Sequence, residues 1–466
     1  MKRAIYFILS IALGGQFAHS LVIETTSGNL AEHKMALELT TDNAVVIKGT
    51  ANVTDLDIIK SMSDYVKELD LSQLAIEAYT YPASADVEQH SFAPGELPSF
   101  MMAGVNITNF KFPSNSSKIG TGAFSSSKLQ SVEIPKTVTT IGDYAFAGCK
   151  SLRSVKIEGE AALGIGAFKD CKELQSVKLN GKISTIPPYL FDGCLNYSES
   201  LPAQITAVGD YAYRGTGLVA LNLRNISKIG TFAFADMPRL ESVVYSNDNI
   251  ALSPGVFFNS KELNVLPAFS ADAPDLFLAH SNAKSDYVIH SPKIGEAAYA
   301  NNRSIDTITF GPEVKSISRH AFRNLENLAV IDASLLNSVP EVDEDAFSGL
   351  KNDIGRYNIK LNVKKEYQNN WLEHPVWSLF EIGQYDTGVA QITDEDPAIS
   401  VMRNGETISV NADASIDYVI VYTLDGMKMA EVAPMTTEAE INGMPSDQVL
   451  IVNVKAGDIN KIIKLR

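Results

Sequence analysis

Apolar positions recur with a period of about 22 residues through the middle of the chain, a spacing typical of repeat proteins. Each period closes on an aromatic residue preceded by small ones, as in IGTGAF (119–124), IGDYAF (141–146) and IGTFAF (229–234). We take that aromatic as the register mark, with Met102 in its place in an earlier copy. The marks are regularly spaced and are Met102, Phe124, Phe146, Phe168, Phe191, Tyr213, Phe234, Phe257, Phe277, Tyr299, Phe322 and Phe347.

Each period also contains a short strand pattern. Val155-x-Ile157 and Val177-x-Leu179 alternate apolar with polar residues, which is typical of a half-buried strand. One copy cannot bury its apolar residues alone, whereas stacked copies bury each position against its equivalent, as leucine-rich repeats do. The pattern therefore predicts a mainly β fold, a leucine-rich-repeat solenoid of about twelve coils, each roughly 20–25 residues long.

Two positions in each period indicate a tightly packed interior. An alanine usually precedes the aromatic, where we expect little room between coils. The three cysteines, Cys149, Cys171 and Cys194, each lie three residues after their aromatic, so they should stack inside consecutive coils. We expect buried free thiols. A disulfide between neighbours is the alternative, although parallel side chains do not easily meet its dihedral requirement.

The two ends of the repeat array differ from its middle, as a solenoid requires. Residues 21–96 are predicted to be an N-terminal cap region, with a strand at 45–49, a helix at 53–63 and the first strand of the stack at 67–71. Residues 97–358 hold the repeats, and 359–385 are a C-terminal cap containing both tryptophans, Trp371 and Trp377. An aromatic ligand platform is the alternative interpretation of that segment.

The end of the chain changes character. Residues 386–398 are polar and acidic with Gly and Pro, which predicts a linker. Residues 399–466 contain successive strand patterns separated by turn signals such as Asn404-Gly405 and Asn442-Gly443. They predict a small antiparallel β-sandwich.

These motifs resemble a known family. The phrase Ile-Gly-x-x-Ala-Phe-x-x-Cys-x-x-Leu-x-Ser-Val-x-Ile at 141–157 is similar to the BspA-like leucine-rich repeat. That resemblance implies a secreted or surface protein of Bacteroidetes or another host-associated microbe, with a role in adhesion. The tail, through VYTLDGMKM (421–429), VLIVNV (449–454) and KIIKLR (461–466), resembles the sorting domain of type IX secretion substrates, which implies contact with the secretion machinery. It departs from that pattern at MPSDQVLIV (444–452).

The N-terminus points to export. A basic start, the apolar run of residues 4–13 and the small residues Ala18 and Ser20 predict a signal peptide over residues 1–20; an uncleaved anchor is the alternative. No later stretch is long and apolar enough to predict a membrane span. We therefore expect a secreted protein, at the cell surface or extracellular. The net charge of −16 argues against nucleic acid as a partner, although it allows a local basic patch.

No catalytic constellation is evident in the sequence. The seven histidines are scattered, no nucleotide-binding or hydrolase motif occurs, and no histidine shares the cysteine spacing. The acidic clusters at 343–345 and 394–396 lack the Gly turn of a calcium loop. We expect no enzyme, no catalytic residue, no metal site and no cofactor. A glycan-handling enzyme is a further alternative, which would need a carboxylate pair in a cleft.

The solvent face of the strand stack is the predicted functional surface. Its polar positions include Glu133 and five residues predicted to bind a ligand, which are Lys156, Lys178, Asn222, Thr309 and Asp332. A solenoid presents such columns as one extended surface suited to a large partner. The hypothesis is an adhesin-like protein that recognises a host matrix or cell-surface protein, another microbial cell or a glycan. The alternative is a structural envelope scaffold, for which this face is an ordinary solvated sheet.

Overall fold

The computed structural model of the protein describes residues 7–13, 16–34, 44–61, 65–82, 90–179, 183–244, 250–263, 271–283, 288–385, 399–404, 406–423, 428–445, 449–457 and 459–465. The chain divides into two compact units, Met1–Tyr385 and Asp386–Arg466. Each unit has a hydrophobic core of its own. The linker predicted at 386–398 lies outside the described residues.

The first unit consists mainly of short strands. In chain order they are β1 (Phe7–Leu13), β2 (Gln16–Thr25), β3 (Ala44–Ala51), β4 (Glu68–Ile76), β5 (Tyr79–Tyr81), β6 (His90–Phe92), β7 (Glu96–Leu97), β8 (Asn109–Lys111), β9 (Lys118–Ile119), β10 (Ser131–Ile134), β11 (Thr140–Ile141), β12 (Ser154–Ile157), β13 (Ala162–Leu163), β14 (Ser176–Lys178), β15 (Thr185–Ile186), β16 (Ala207–Val208), β17 (Ala220–Asn222), β18 (Lys228–Ile229), β19 (Ser242–Val244), β20 (Ala251–Leu252), β21 (Val288–Ile289), β22 (Lys293–Ile294), β23 (Thr307–Phe310), β24 (Ser316–Ile317), β25 (Val330–Asp332), β26 (Glu341–Val342), β27 (Lys360–Lys364) and β28 (Glu381–Tyr385). The helices are α1 (Val53–Ser61) and α2 (Gln368–Glu373), with 3-10 turns at Leu30–His33, Lys365–Tyr367 and Trp377–Leu379.

The strands form two faces of a solenoid. On the main face the sheets are β1-β2-β3-β4-β8-β10-β12-β14, β17-β19 and β21-β23-β25-β27-β28. On the second face they are β7-β9-β11-β13, β15-β16-β18-β20 and β22-β24-β26. Neighbouring coils pair in parallel, for example β10 with β12 and β12 with β14. The predicted fold class, a mainly β solenoid followed by a small antiparallel β domain, is confirmed.

Left-handed backbone closes the tight segment around each aromatic. The residues two before and two after Phe146, Tyr144 and Gly148, have φ of 54° and 70°. The Phe146 N–H donates to the carbonyl oxygen of Ala167 in the next coil at 2.8 Å. Ala145 and Ala167 are fully buried between neighbouring coils, whereas the coils of Phe191 and Phe257 bury the larger Leu190 and Val256 at the same position.

One predicted register mark is wrong. The positive φ falls on Leu276, and the Leu278 N–H donates to the carbonyl oxygen of Ala298 at 2.7 Å. Leu278 therefore occupies the aromatic position of its coil, and Phe277 occupies the alanine position. Both side chains are buried, so this coil fills the core although its aromatic residue lies one position before the usual one.

Stacked rings and buried thiols fill the interior. The rings of Phe124 and Phe146 lie 5.2 Å apart and nearly parallel, and those of Phe146 and Phe168 lie 5.7 Å apart. Cys149, Cys171 and Cys194 are buried free thiols, as predicted. Each donates to the carbonyl oxygen of the aromatic residue one coil earlier, at Sγ–O distances of 3.0, 3.1 and 3.0 Å to Phe124, Phe146 and Phe168.

The stack begins earlier than predicted. The prediction that residues 67–71 form its first strand is wrong, because β2 and β3 precede β4 in the same sheet. Leu21 pairs with Val45, and Val45 pairs with Leu69, so one buried apolar column runs through all three strands. The signal peptide at residues 1–20, which overlaps β1 and the start of β2, stays a prediction.

Aromatic side chains cover the last coil. Trp371 and Trp377 are almost completely buried, and their ring centroids lie 5.1 Å apart. Trp377 also packs edge-on against Phe347, the aromatic of the final repeat, at 5.5 Å. Its Nε1–H donates to the carbonyl oxygen of Pro340 at 3.3 Å. The alternative of an aromatic ligand platform is wrong, because these rings are buried in the core.

The second unit is an antiparallel β-sandwich. Its strands are β29 (Ile399–Asn404), β30 (Thr407–Ala412), β31 (Ile416–Thr423), β32 (Lys428–Val432), β33 (Glu438–Ile441), β34 (Leu450–Ala456) and β35 (Ile459–Leu465). They form the sheets β29-β30-β33 and β32-β31-β34-β35. Val410, Val419 and Val452 are among the buried residues of this unit's core.

Candidate binding surfaces

The structure brings three of the predicted surface residues together. Glu133 pairs with Lys156, and Lys156 pairs with Lys178, on the adjacent strands β10, β12 and β14. All three side chains are exposed, while Val132, Val155 and Val177 beside them are buried. The alternating pattern of the sequence thus determines which face of these strands meets solvent.

Lys156 is already engaged within this column. Its Nζ bonds to the carboxylate of Glu133 and, at 3.1 Å, to Glu158. These hydrogen bonds, first that of Glu133, raise the pKa of the Lys156 ammonium group above its ordinary value. Lys178, in contrast, has no ion pair among the described residues.

Asn222 lies in a different sheet. It pairs with Val244 in β17-β19, which is separate from the eight-stranded sheet. Its Oδ1 accepts the Arg224 N–H at 3.2 Å, so the side chain shapes the turn after the strand.

The expectation of one continuous strand column is therefore wrong. Between β14 and β17 the chain reads Glu199-Ser200-Leu201-Pro202, and exposed Ser200 lies where the preceding coils bury a valine. The Glu199 carboxylate accepts the Val177 N–H at 3.1 Å in place of a strand partner. With a serine where the preceding coils bury a valine, and with a proline that has no N–H, this coil forms no strand on the main face.

Thr309 and Asp332 form a third group. They pair directly on β23 and β25, and both are half-buried. The Asp332 Oδ1 accepts the Ser334 N–H at 2.9 Å, as the Asp70 Oδ1 does with Ser72. Asp332, like Asn222, thus has a turn-forming role that the sequence interpretation did not assign to it.

A row of basic residues was missed. Lys128, Lys150 and Lys172 each lie four residues after the aromatic of their coil, and all three are exposed. Arg153, also exposed, directly precedes β12. The constant offset from the aromatic is a signal in the sequence that could have revealed this row.

An aromatic and charged cluster was also missed. Tyr189 and Tyr211, each two residues before the aromatic mark, stack at 4.9 Å. Beside them the buried Asp192 carboxylate receives two hydrogen bonds from Arg214, at 2.8 and 3.0 Å, and one from Lys169. The hydrogen bonds from Arg214 to Asp192 raise the pKa of the guanidinium group. The two cations also lie over the tyrosine rings, at 4.9 Å for Arg214 on Tyr211 and 5.5 Å for Lys169 on Tyr189.

Two clefts open on the surface of the first unit. One, of about 590 Å³, lies on the second face and is lined by both acidic and basic side chains, including Asp275, Lys293, Glu296, Arg319 and Asp343. The other, of about 90 Å³, lies at the break in the main face and is lined by Pro202, Asn222, Asn225 and others. Neither cleft includes a residue of β10, β12 or β14.

The three buried thiols differ in acidity. Burial raises the pKa of the Cys171 and Cys194 thiols, which disfavours their thiolates, whereas the hydrogen bond with Cys171 lowers the pKa of the Cys149 thiol. Among the described residues, no group of three or more His, Cys, Asp or Glu side chains is placed to hold a metal ion. In that same part of the chain, no helix has the length and apolar character needed to cross a membrane.

Parallel coils, stacked aromatics and a closed cap define a leucine-rich-repeat solenoid. The sequence profile described as "BspA type Leucine rich repeat region" matches six copies over residues 95–199, 161–264 and 290–372, more than half of the chain. The chain belongs to this family of repeat proteins.

One solved structure shares the fold, and others align with lower scores. A leucine-rich repeat protein from Bacteroides ovatus aligns over 83% of this chain and 100% of its own, with 20% identity and a TM-score of 0.53. The pneumococcal vaccine antigen PcpA aligns over 83% of this chain and 98% of its own, with 14% identity and a TM-score of 0.39. A leucine-rich cell surface protein from Faecalibacterium prausnitzii aligns over 61% of this chain and 85% of its own, with 17% identity and a TM-score of 0.30. No curated protein matches the chain with significant similarity.

Proposed function

We propose that this protein is a secreted or cell-surface binding protein, adhesin-like and without enzymatic activity, that uses the main strand face of its solenoid. The proposed partner is a host matrix or cell-surface protein, another microbial cell or a glycan. Membership of the BspA-type family supports this proposal, since proteins with this repeat are typically secreted or displayed on the cell surface.

The main support comes from the strands β10, β12 and β14. Their exposed polar side chains stand in register over a buried valine row. Because that backbone is held by the sheet and by the core beneath it, the positions from which the exposed side chains extend are fixed. Binding a large partner then requires little ordering of the backbone, which is the physical advantage of a solenoid in recognition.

The binding role is tested with the full chain. Wild type and the Lys156→Glu, Lys178→Glu double variant are titrated onto immobilised matrix proteins, glycans and fixed cells. The Lys315→Glu, Arg323→Glu variant is the matched control, since both of its residues are exposed cations in the C-terminal coils. Binding by wild type and control that the first variant loses supports the proposal. No binding by wild type to any of these targets argues instead for an envelope scaffold.

Location is the second part of the proposal. The predicted signal peptide over residues 1–20 and the likeness of residues 399–466 to a type IX sorting domain support export to the surface. Surface protease shaving of native cells, with intact-mass analysis of the mature protein, tests both. The expected result is a protein that is exposed on the cell surface and has lost its C-terminal unit. A periplasmic protein that retains Arg466 would contradict the sorting-domain proposal.

A further inference from the structure

The coils of residues 97–179 have a net charge opposite in sign to that of the whole chain. Residues 97–179 contain ten Lys and Arg against six Asp and Glu, although the chain as a whole has a net charge of −16. Four of the ten have an ion pair in the structure, namely Lys111 with Asp70, Lys118 with Glu96, Lys156 with Glu133 and Glu158, and Lys169 with Asp192.

Five of the six remaining cations lie on, or within four residues before, the strands β10, β12 and β14. We call Lys128, Lys150, Arg153, Lys172 and Lys178 the basic surface. All five are exposed, and none has an ion pair among the described residues. The sixth unpaired cation, Lys136, follows β10 and is not part of this surface.

The stacking of the coils sets the spacing of these charges. The Ser127 hydroxyl and the Cys149 thiol, at the positions just before Lys128 and Lys150, lie 3.2 Å apart. The aromatic rings of the same coils repeat every 5.2 to 5.7 Å. Lys128, Lys150 and Lys172 therefore form a row with one positive charge in each coil, parallel to the solenoid axis.

None of these five side chains makes a stabilising ion pair among the described residues. Lys178 lies directly opposite another lysine, Lys156, on the paired strand. Carboxylates of the same coils are used elsewhere, since Glu133 and Glu158 bind Lys156. Glu173, next to Lys172, accepts a hydrogen bond from the Asn196 side chain at 3.4 Å. The positive charge of the basic surface is thus left for a partner.

We propose that the basic surface binds a linear polyanionic polysaccharide, with carboxylate or sulfate groups, that runs along the solenoid axis. This inference rests on the proposed binding function and names the partner class for the same region. A row of single ammonium charges, one in each coil, complements a chain that has regularly spaced anionic groups.

The surface is less suited to nucleic acid. The negative charge of the rest of the chain repels a densely charged duplex at longer range. A glycan with fewer charges per unit length is repelled less by that field.

The experiment measures binding of the full chain to immobilised heparin and to hyaluronan, as sulfated and carboxylated probes, over a range of salt concentrations. Lys150→Glu, Lys172→Glu is the test variant, and Lys150→Arg, Lys172→Arg should retain binding. The Lys315→Glu, Arg323→Glu variant is the control, because it changes the net charge by the same amount in the C-terminal coils. We expect the test variant to weaken binding at least about tenfold and to flatten its salt dependence, while the control stays within about twofold.

The variants separate a specific site from a general charge effect. Loss in the test variant with retention in the other two supports the inference. Equal loss in the control overturns it, as does tighter binding to a DNA duplex with the same variant sensitivity. If wild type binds neither polysaccharide but still binds matrix proteins or cells, this inference fails while the proposed function stands. Thermal unfolding of each variant shows that it is folded.

Discussion

At the scale of single residues, a comparison of equivalent positions in the coils shows which side chains differ from the residue that most coils have there. Tyr213 stands in the aromatic position where most coils have phenylalanine. Its ring is fully buried, and its hydroxyl has no hydrogen-bond partner among the described residues. A buried hydroxyl without a partner costs stability, so this residue is a local weakness in the core.

Tyr213→Phe should therefore raise the free energy of unfolding by about 1 kcal/mol. Burial raises the pKa of the Tyr213 hydroxyl, so above pH about 10 the unfolded phenol ionises first and wild type loses stability as the pH rises. The Tyr213→Phe variant should lose less stability over the same pH range. Urea unfolding at neutral pH and at a pH just above 10 measures both effects. Tyr144→Phe, at an exposed ring, is the control, and a destabilised Tyr213→Phe would contradict the argument.

Asp192 holds two cations from neighbouring coils. Removing its buried carboxylate leaves Lys169 and Arg214 without their shared partner. Both cations are partly exposed, so water compensates in part, and we expect Asp192→Ala to cost about 2 kcal/mol rather than the full value of a buried pair. Chemical denaturation measures the loss, with exposed Glu262→Ala as the control. An unchanged midpoint for Asp192→Ala would show that the cluster adds no stability.

At the scale of elements, the ends of the solenoid close its core in different ways. At the N-terminal end β2 and β3 extend the main sheet. At the C-terminal end β28 extends it too, and Trp371 and Trp377 in addition cover the last aromatic. The last strand of a sheet needs backbone hydrogen-bond partners, whereas the apolar interior of the last coil needs apolar surface to cover it. Large aromatic rings supply that surface with little loss of side-chain entropy.

Trp377→Ala tests the closing role. Its ring contacts Phe310, Phe347 and Phe380 and is fully buried, so truncation should cost about 3–5 kcal/mol. Hydrogen exchange should show faster opening first in the coils around β25 and β27, because solenoid coils are stabilised by their nearest neighbours. Uniform acceleration along the first unit would contradict this local role. Leu372→Ala, at a half-exposed site in α2, is the control.

At the scale of the whole molecule, the chain consists of two units with separate cores. The core of the second unit is formed by residues between Ile399 and Ala456. A unit that buries its own apolar residues does not need the other to fold.

Residues 386–466 alone should therefore unfold cooperatively, and residues 1–385 should keep the stability they have in the full chain. Calorimetry of the full chain and both fragments checks this. The sum of the fragment transitions should reproduce the full profile, and a fragment 386–466 that stays unfolded would contradict independent cores.

The sequence determined the features that repeat. The coils, the stacked aromatics, the buried alanines and the cysteine row follow from local spacing, because each coil must bury the same positions against its neighbour. Phe146, Ala145 and Cys149 were all placed this way. The strand face also followed, since period-two alternation turns Lys156 outward and Val155 inward.

Only the tertiary structure decided what happens across coils. Glu133 and Glu158 neutralise Lys156 but not Lys150, Asp192 joins two cations, and Ser200 interrupts the main face. These contacts join residues about one coil apart in the sequence. A coil that is longer or shorter by one residue therefore makes different contacts. Burial is set by a pattern that every coil repeats, whereas pairing of surface charges depends on how each coil aligns with the next.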